Sequence, residues 1–480
     1  MRRIGFVLAA TAVATGAFAQ GFLTADRKEA LPRFLTDVER RYLQSNPLIV
    51  PDVTAPPVGN IECVAEYEPM EGIIVAWEGS ASWHVSLRAM IKEITNTAGA
   101  LVYINCDSNT VKNSATSTLT ADGVDMTKIR WLISTTDSIW LRDYGPRYIY
   151  QNGVRAIVDH VYNRPRPNDD AFSTAFGNLK KHPRYEIGLV HGGGNFHLDA
   201  IDRGYATRLI NNENPGLTEA QIKTEWLNFQ GLNMTLFDPF PTSVDATQHL
   251  DMWMQIVGDN RVIVSDWPLN SGSTQDQICD AAASLMALNG YTVFRVPARL
   301  ISGVHYTYTN SVMCNNVVCI PTYNRAEFNP VGGWNDQAKA TFELACTGKT
   351  VKPIDCTSII TAAGAIHCIV MHLPVNSAGV NPVVNATDFV GNPRYTLGQQ
   401  VAIPWIADDD VGVTSVDIYL LKEGSRVPYL IASNQSHTGN YNWNVSKRYG
   451  RGNFRSMIVV RDADGRTASD LSATSFYIGW

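Results

Sequence analysis

The pattern of the sequence changes once, near residue 376, and this change restricts the possible folds more than any other feature. Between Cys63 and Pro374, short apolar runs of strand length alternate with stretches of helical periodicity. From residue 395 to 480, short runs of alternating polarity follow one another between turn residues, without a helical pattern. The 480 residues are therefore predicted to form an α/β or α+β domain and then an all-β domain.

The N-terminus has the features of a bacterial signal peptide. Arg2 and Arg3 precede an apolar run from Ile4 to Ala14, and Ala17-Phe18-Ala19 is an A-x-A cleavage site. The apolar run is shorter than the ~20 residues that a membrane span needs, so a membrane anchor is the less favoured interpretation. We expect a secreted or periplasmic protein, cleaved near Ala19/Gln20, with no membrane span.

The sequence divides into five predicted segments. They are a signal peptide (1–19), an N-terminal extension (20–60), the α/β domain (61–375), a linker rich in Pro, Asn and Gly (376–394) and a small immunoglobulin-like β-sandwich (395–480). In the extension, apolar residues from Phe34 to Leu43 have helical spacing, and Asn46-Pro47 ends that helix. The extension is interpreted either as a propeptide or as an arm that packs on the next domain.

Charge and cysteine content restrict the possible partners. The net charge is −6 and no basic block occurs, so nucleic acid is not an expected partner. Export would permit disulfides among the eight cysteines, and Cys314–Cys319 and Cys346–Cys356 are close enough in sequence to pair. No C-x-x-C motif occurs, so a zinc site is not predicted.

Four short motifs place polar side chains next to apolar strands. They are Trp140-Leu-Arg-Asp143-Tyr-Gly-Pro146, His191-Gly-Gly-Gly-Asn195-Phe196, His249-Leu-Asp251-Met-Trp253 and Gly364-Ala-Ile-His-Cys368. On a strand, the side chains of His249 and Asp251 would point the same way. Each motif alone also has a plain structural interpretation as a turn, a glycine-rich loop, a surface strand or a buried thiol.

The order of the four motifs resembles that of the guanidino-group-modifying enzymes, the pentein superfamily. The closest resemblance is to the branch of agmatine deiminases and bacterial, Porphyromonas-type peptidylarginine deiminases, and Glu66–Gly72 also resembles that branch. The resemblance covers roughly residues 61–375. It implies a five-bladed α/β propeller with the active site at its centre.

The resemblance also implies a role for each residue. Cys368 would be the nucleophile and His249 the general acid and base, while Asp143 and Asp251 would hold the guanidinium by charge-assisted hydrogen bonds. Trp140 would lie against the planar cation. His191, Asn195 and Asn310 are further expected substrate-binding positions. The reaction would pass through a covalent amidino-thioether to a citrulline-like product and ammonia, and this scheme requires no cofactor or metal.

Arg164 and Arg166 bear on the identity of the substrate. Prolines 165 and 167 favour an extended backbone, so both arginines can project to one side and bind an α-carboxylate. Agmatine has no carboxylate. The pair therefore favours an arginine-containing peptide or protein, and within peptides a C-terminal arginine. The alternative for this segment is a solvated basic loop.

Two other functions remain open at this point. An agmatine or free-arginine deiminase would use the same guanidinium site, and free arginine also has a carboxylate. A non-catalytic extracellular binding protein would not need the thiol. In the β-sandwich, Asp408-Asp-Asp410 is interpreted as a solvated acidic loop, with calcium binding as the less favoured alternative.

Overall fold

A computed structural model describes residues 30–50 and 53–480 of the chain. The predicted signal peptide and its cleavage site lie outside these residues. The α-helices of the described part are α1 (Asp37–Ser45), α2 (His84–Asn96), α3 (Asn109–Ala121), α4 (Leu141–Tyr144), α5 (Pro167–Asp170), α6 (Phe172–Lys180), α7 (Leu209–Glu213), α8 (Glu219–Gln230), α9 (Thr274–Leu288) and α10 (Trp334–Ala345).

The strands up to residue 374 are β1 (Ile61–Cys63), β2 (Met70–Ala76), β3 (Leu101–Cys106), β4 (Ile129–Ile133), β5 (Arg147–Gln151), β6 (Val154–Tyr162), β7 (Arg184–His191), β8 (His197–Leu198), β9 (Arg203–Thr207), β10 (Asn233–Phe237), β11 (Met254–Gly258), β12 (Arg261–Asp266), β13 (Thr292–Pro297), β14 (Arg299–Ile301), β15 (Val304–Tyr306), β16 (Val312–Cys314), β17 (Val317–Thr322), β18 (Thr350–Asp355) and β19 (Val370–Pro374). The strands after it are β20 (Val383–Ala386), β21 (Arg394–Thr396), β22 (Gln400–Asp408), β23 (Val413–Lys422), β24 (Tyr429–Gln435), β25 (Gly439–Asn444), β26 (Gly452–Asp462), β27 (Thr467–Leu471) and β28 (Phe476–Gly479).

Five small mixed sheets and one two-stranded antiparallel sheet, β14-β15, lie in the region between residues 61 and 374. The strand orders of the mixed sheets are β1-β5-β6-β7, β8-β9-β10, β11-β12-β13, β16-β17-β18 and β19-β2-β3-β4. Each mixed sheet combines an antiparallel pair with a parallel pair, for example β11 with β12 and β12 with β13. A parallel pair needs a long crossover, and a helix lies in each one, as α9 does between β12 and β13.

The helices pack their apolar faces on these sheets. In α2, Leu87, Met90, Ile91 and Ile94 are fully buried, as the helical spacing of these residues predicts. The strands next to it, β2 and β3, are buried along most of their length.

The C-terminal region is an all-β unit, as predicted. One sheet has the order β20-β22-β25, and the other has the order β21-β28-β26-β23-β24, with β27 paired to β26. Alternate residues are buried between them, such as Val401 and Ile403 from one sheet and Val416 and Ile418 from the other. Strand β20 lies within residues 376–394, so this stretch is not a linker throughout.

A buried ion pair joins the two regions. Arg155 of β6 donates from Nε and Nη2 to the carboxylate of Asp408, over 2.6 and 3.1 Å, and from Nη1 to Glu71 over 2.5 Å. His182 also contacts Asp408, at 3.2 Å. The interpretation of residues 408–410 as a solvated loop is therefore wrong for Asp408, because a guanidinium and an imidazole already surround its carboxylate. Asp410 is exposed.

Two local predictions also differ from the structure. His249 precedes a 3-10 turn at Leu250–Met252, and Cys368 lies in another at His367–Ile369, so neither is on a strand. The eight cysteines are buried free thiols in the structure. Cys314 and Cys319 lie on adjacent strands, but the register pairs them with Val317 and Val312 instead of with each other.

Among residues 30–50 and 53–480, no helix combines the length and the apolar character required for a bilayer crossing.

Candidate active site

The guanidinium group of Arg33, from the N-terminal extension, lies in the centre of the predicted site. Asp143 accepts from its Nε and Nη2 at 2.9 Å each, and Asp251 accepts from Nη1 and Nη2 at 3.0 Å each. Nη1 also lies 2.6 Å from Sγ of Cys368. An arginine has five N–H donors, so four carboxylate oxygens and one sulfur provide an acceptor for every one. The arrangement is therefore a guanidinium-binding site.

His249 lies against the same group. Its Nδ1 is 2.8 Å from Nη2 of Arg33 and 3.4 Å from Oδ1 of Asp143. The other ring nitrogen, Nε2, is buried without a hydrogen-bond partner among the described residues. Both N–H groups of Nη2 donate to carboxylates. The imidazole lies next to this terminal nitrogen, which could leave as ammonia. This is the position required of a general acid.

Glycines provide the space that the site needs. A Cβ on Gly194 would lie 1.8 Å from Nη2 of Arg33, and its backbone N–H donates to Asp143 over 3.1 Å. A Cβ on Gly364 would lie 2.9 Å from Sγ of Cys368 and 2.6 Å from the ring of Trp140. Contacts this short do not occur between real atoms. The glycines of the second and fourth motifs are thus required by close packing around the guanidinium and the thiol.

Further polar groups hold Asp251 from behind. Nδ1 of His367 lies 2.9 Å from Oδ2 of Asp251, and its Nε2 lies 2.9 Å from Oε1 of Glu66. Arg142 pairs with the same Glu66 oxygen at 2.6 Å. These contacts form a buried chain that fixes the Asp251 carboxylate in its orientation toward the guanidinium.

The electrostatics of the acids follow from this geometry. Burial by itself raises the pKa of the Asp143 carboxyl, but the Arg33 guanidinium outweighs burial and holds this pKa well below its usual range. Burial also raises the pKa of the Asp251 carboxyl, but Arg33 and His367 together outweigh burial and lower it. Both carboxylates are therefore ionised when a guanidinium is bound.

The thiol of Cys368 responds differently. Burial raises its pKa well above the ordinary value of a cysteine, and the two nearby carboxylates add to the increase. The Arg33 guanidinium opposes them and lowers the pKa. The bound guanidinium thus favours the thiolate, but in this arrangement burial has the larger effect.

Three predicted substrate-binding residues contact the backbone around Arg33. Nε of Arg164 donates to the carbonyl of Arg33 over 3.1 Å, and Nη2 of Arg166 donates to the carbonyl of Pro32 over 2.8 Å. The indole N–H of Trp140 donates to the carbonyl of Leu31 over 2.8 Å. In the described residues the ring of Trp140 is tilted against that of Trp83, with centroids 5.5 Å apart, and its expected stacking on the guanidinium stays a prediction.

Asn310, another expected substrate-binding residue, contacts the thiol of Cys368 and the loop that carries it. Its Nδ2 is 3.0 Å from Sγ of Cys368, and its Oδ1 accepts from the backbone N–H groups of Ala365 and His367.

His191 and Asn195 lie in the wall behind the guanidinium. The His191 ring packs on that of His160 with centroids 4.0 Å apart, and Asn195 makes two hydrogen bonds with the backbone of Thr207. Within the part of the chain that the structure describes, neither side chain hydrogen-bonds to Arg33. Their contacts instead hold the glycine loop between them, residues 192–194, so that the backbone of Gly194 lies close to the guanidinium of Arg33.

Four residues of the site were not identified from the sequence as site residues. They are Arg33, Glu39, Glu66 and His367. Glu66 and His367 each lie within a motif that carried the family resemblance, so a search for the buried partners of Asp251 could have found them. Arg33 and Glu39 lie in the extension, where helical spacing was the only signal.

Comparison with known proteins identifies a family and several relatives. The sequence profile of the family described as Porphyromonas-type peptidyl-arginine deiminase matches residues 62–374. A Streptomyces avermitilis protein provisionally named an agmatine deiminase is 24% identical over 268 residues, which are 50% of this chain and 75% of that protein. The agmatine deiminase of Ectopseudomonas mendocina is 22% identical over 376 residues, 67% of this chain and 97% of the relative.

A solved structure shows the same fold. An agmatine deiminase variant of C. jejuni with substrate bound superposes with a TM-score of 0.56 at 15% identity, covering 65% of this chain and 96% of the other. The α/β region therefore has the fold of the pentein deiminases.

Proposed function

Because the chain belongs to the family of Porphyromonas-type peptidyl-arginine deiminases, we propose that it hydrolyses the guanidinium group of peptide-bound arginine to citrulline and ammonia. One observation supports this above all others. The side chain of a peptide-bound arginine, Arg33, lies between Asp143 and Asp251 with Sγ of Cys368 at 2.6 Å from Nη1. A binding protein for cations would have no need of a thiol at that position.

The reaction uses the groups that surround the guanidinium. The sulfur of Cys368 attacks Cζ, forming a C–S bond, and the bond from Cζ to the nitrogen beside His249 breaks. The proton lost by the thiol leaves with that nitrogen as ammonia, and His249 transfers it. Water then adds to the amidino-thioether with His249 as base, which breaks the C–S bond and yields the neutral ureido group of citrulline.

The backbone contacts support a peptide as substrate. Trp140, Arg166 and Arg164 donate hydrogen bonds to three consecutive carbonyl groups, those of residues 31, 32 and 33. Agmatine has no such carbonyl, so it would leave these three donors unused. Unpaired buried donors reduce the affinity for a ligand that cannot bond to them.

We further propose a preference for C-terminal arginine. Arg164 contacts the carbonyl oxygen of Arg33 itself, and a C-terminal arginine would present a second oxygen and a full negative charge at that point. A charge-assisted hydrogen bond is stronger than one to a neutral carbonyl. Free arginine shares this carboxylate but lacks the two preceding carbonyls that Trp140 and Arg166 bind.

The second candidate is an agmatine or free-arginine deiminase, and the names of the relatives favour it. Incubation with four substrates separates the two. They are a peptide ending in arginine, a peptide with internal arginine, free arginine and agmatine. We expect ammonia release and a gain of about 1 Da per converted residue to be fastest with the first, with Cys368→Ala inactive. Faster conversion of agmatine than of any peptide would contradict the proposal.

The finer architecture and the location of the protein belong to the same proposal. The five mixed sheets are the blades of a pentein propeller, and the C-terminal unit is an immunoglobulin-like sandwich. The chain is exported from a bacterial cell, with residues 1–19 removed, and acts on arginine-containing peptides or proteins and not on nucleic acid. The mass of the N-terminal peptide of the exported chain tests the cleavage, and an uncleaved chain would contradict it.

A further inference from the structure

We infer that residues 30–46, hereafter the inhibitory segment, are an intramolecular inhibitor that occupies the active site and keeps the enzyme latent. The inference rests on the proposed function in one respect, because the site that the segment fills must be the one that binds substrate guanidinium. It goes beyond that function by assigning a regulatory role to the extension, for which the sequence left a propeptide and a packed arm as alternatives.

Arg33 leaves no room for a second guanidinium. Its side chain is fully buried, and Asp143, Asp251 and Cys368 all accept hydrogen bonds from its guanidinium. Burial tends to lower its pKa, but the two carboxylates outweigh burial and raise the pKa well above the ordinary arginine value. Arg33 is thus a positively charged ligand that matches the site as a substrate side chain would.

The backbone of the segment fills the peptide-binding positions as well. The carbonyls of Leu31, Pro32 and Arg33 accept from Trp140, Arg166 and Arg164, and the N–H of Arg33 donates to the carbonyl of Ala362 over 3.0 Å. Every group proposed to recognise a substrate backbone is therefore already bonded to the chain itself.

Glu39, in the first turn of α1, provides a second anchor for the segment. Its Oε1 accepts from Nε of Arg166 at 2.7 Å, and both side chains are almost fully buried. The other oxygen, Oε2, accepts from the N–H and hydroxyl of Thr36, which caps α1. The ion pair and the start of the helix are thus coupled. Glu39 also engages Arg166, one of the two arginines assigned to substrate binding, in this ion pair.

Substrate and segment must compete, because they use the same atoms. We call a molecule open when the segment has left the site. The apparent association constant for a substrate then equals its association constant for the open enzyme multiplied by the fraction of molecules that are open. Removal or displacement of the segment frees Asp143, Asp251, Arg164 and Arg166 together. The chain is expected to be activated by loss of this segment.

A binding experiment in the full-length Cys368→Ala chain tests occupancy without turnover, and this variant cannot convert Arg33. Calorimetry measures binding of a short peptide ending in arginine to Cys368→Ala alone and to Cys368→Ala with Arg33→Gln, Glu39→Gln or Arg40→Gln. Arg40 is the matched control, since it lies on the same helix but pairs with Asp37 at the surface. We expect Arg33→Gln to increase the affinity by about tenfold or more, Glu39→Gln to increase it less, and Arg40→Gln to leave it unchanged.

Equal affinity in the Arg33→Gln and unsubstituted chains would overturn the inference, and so would an equal increase with Arg40→Gln. The activity of the same variants with Cys368 intact separates this result from the proposed function. If Arg33→Gln improves peptide binding and no variant releases ammonia, the inhibitor stands and the deiminase proposal fails. If the unsubstituted chain converts the peptide as fast as Arg33→Gln, the deiminase proposal stands and the inhibitor fails.

Discussion

Asn310 contacts both the thiol of Cys368 and the loop that presents it. Its Nδ2 lies 3.0 Å from Sγ, and its Oδ1 accepts from the N–H groups of Ala365 and His367 at 3.0 and 3.1 Å. Asn310→Ala leaves the buried N–H of Ala365 without its partner, and leaves that of His367 with the backbone carbonyl of residue 310 alone. We expect the free energy of unfolding to fall by roughly 1–3 kcal/mol. We expect kcat on an arginyl peptide to fall about tenfold or more, which corresponds to a loss of ~1.4 kcal/mol at the transition state.

Ser311→Ala is the control for Asn310→Ala. The Ser311 hydroxyl is buried next to it but has no hydrogen-bond partner among the described residues. Urea denaturation and steady-state kinetics, both in the Arg33→Gln chain, measure the two effects. If Ser311→Ala lowers kcat as much as Asn310→Ala does, the contact with the thiol is not the cause.

The sequence was sufficient to identify the residues that touch the guanidinium but not the guanidinium itself. The motifs containing Asp143, His249, Asp251 and Cys368 have characteristic residues at fixed spacings, and the structure brings all four together around Arg33. Arg33 lies 110 residues from Asp143 and 335 from Cys368. No local periodicity contains information about contacts over such separations, so the occupation of the site was not predictable.

The same distinction applies to the secondary structure. The short, clearly delimited apolar run Ile129–Ile133 predicts a strand with the bounds of β4, and the helical periodicity of residues 273–289 predicts α9 to within one residue at each end. Helix α3 is not predicted, because it consists mainly of Ser, Thr, Asn and Ala, with little apolar periodicity. The sequence of residues 367–373 predicts a strand that includes Cys368, although Cys368 lies in a 3-10 turn, because three residues of such a turn have too little pattern to distinguish them.

The stability of the closed enzyme should depend on pH through Asp143 and Asp251. Burial opposes their ionisation, but Arg33 lowers the pKa of both carboxyls on folding. A carboxyl with a lowered pKa adds stability above its unfolded value, near ~4, and this stability is lost as pH falls below that value toward the folded one. We expect the free energy of unfolding to fall below about pH 4.

Arg33→Gln removes the cation that lowers both pKa values. Burial then acts on both carboxyls without the opposing cation, so their folded pKa values rise toward or above the unfolded value, and the loss of stability on acidification should be smaller than in the unsubstituted chain. Urea denaturation at a series of pH values measures both curves, and their difference isolates the site, since all other carboxyls are common to the two chains. Superimposable curves would show that Arg33 does not interact with these acids in solution.

The junction between the α/β region and the C-terminal unit offers a test of domain coupling. Asp408→Asn leaves the fully buried Arg155 with Glu71 as its remaining acidic partner. Breaking a buried pair by removing one charge costs ~3–5 kcal/mol. We expect the two regions to unfold in separate thermal transitions, with the earlier one at a lower temperature than in the unsubstituted chain. Scanning calorimetry measures this, and the exposed Asp410→Asn serves as control, with an expected change within ~0.5 kcal/mol.

Trp140→Phe tests whether the indole N–H binds the backbone of a peptide substrate. The substitution keeps an aromatic ring in the wall but removes the donor that lies 2.8 Å from the carbonyl of Leu31. A neutral hydrogen bond contributes about 0.5–1.5 kcal/mol, so KM for a tripeptide ending in arginine should rise by roughly twofold to tenfold. For free arginine, which has no carbonyl at that distance along the chain, KM should not change. Steady-state kinetics in the Arg33→Gln chain compare the two substrates, with Trp83→Phe as the neighbouring control. An equal rise in KM for both substrates would mean that Trp140 shapes the guanidinium pocket and does not bind the peptide backbone.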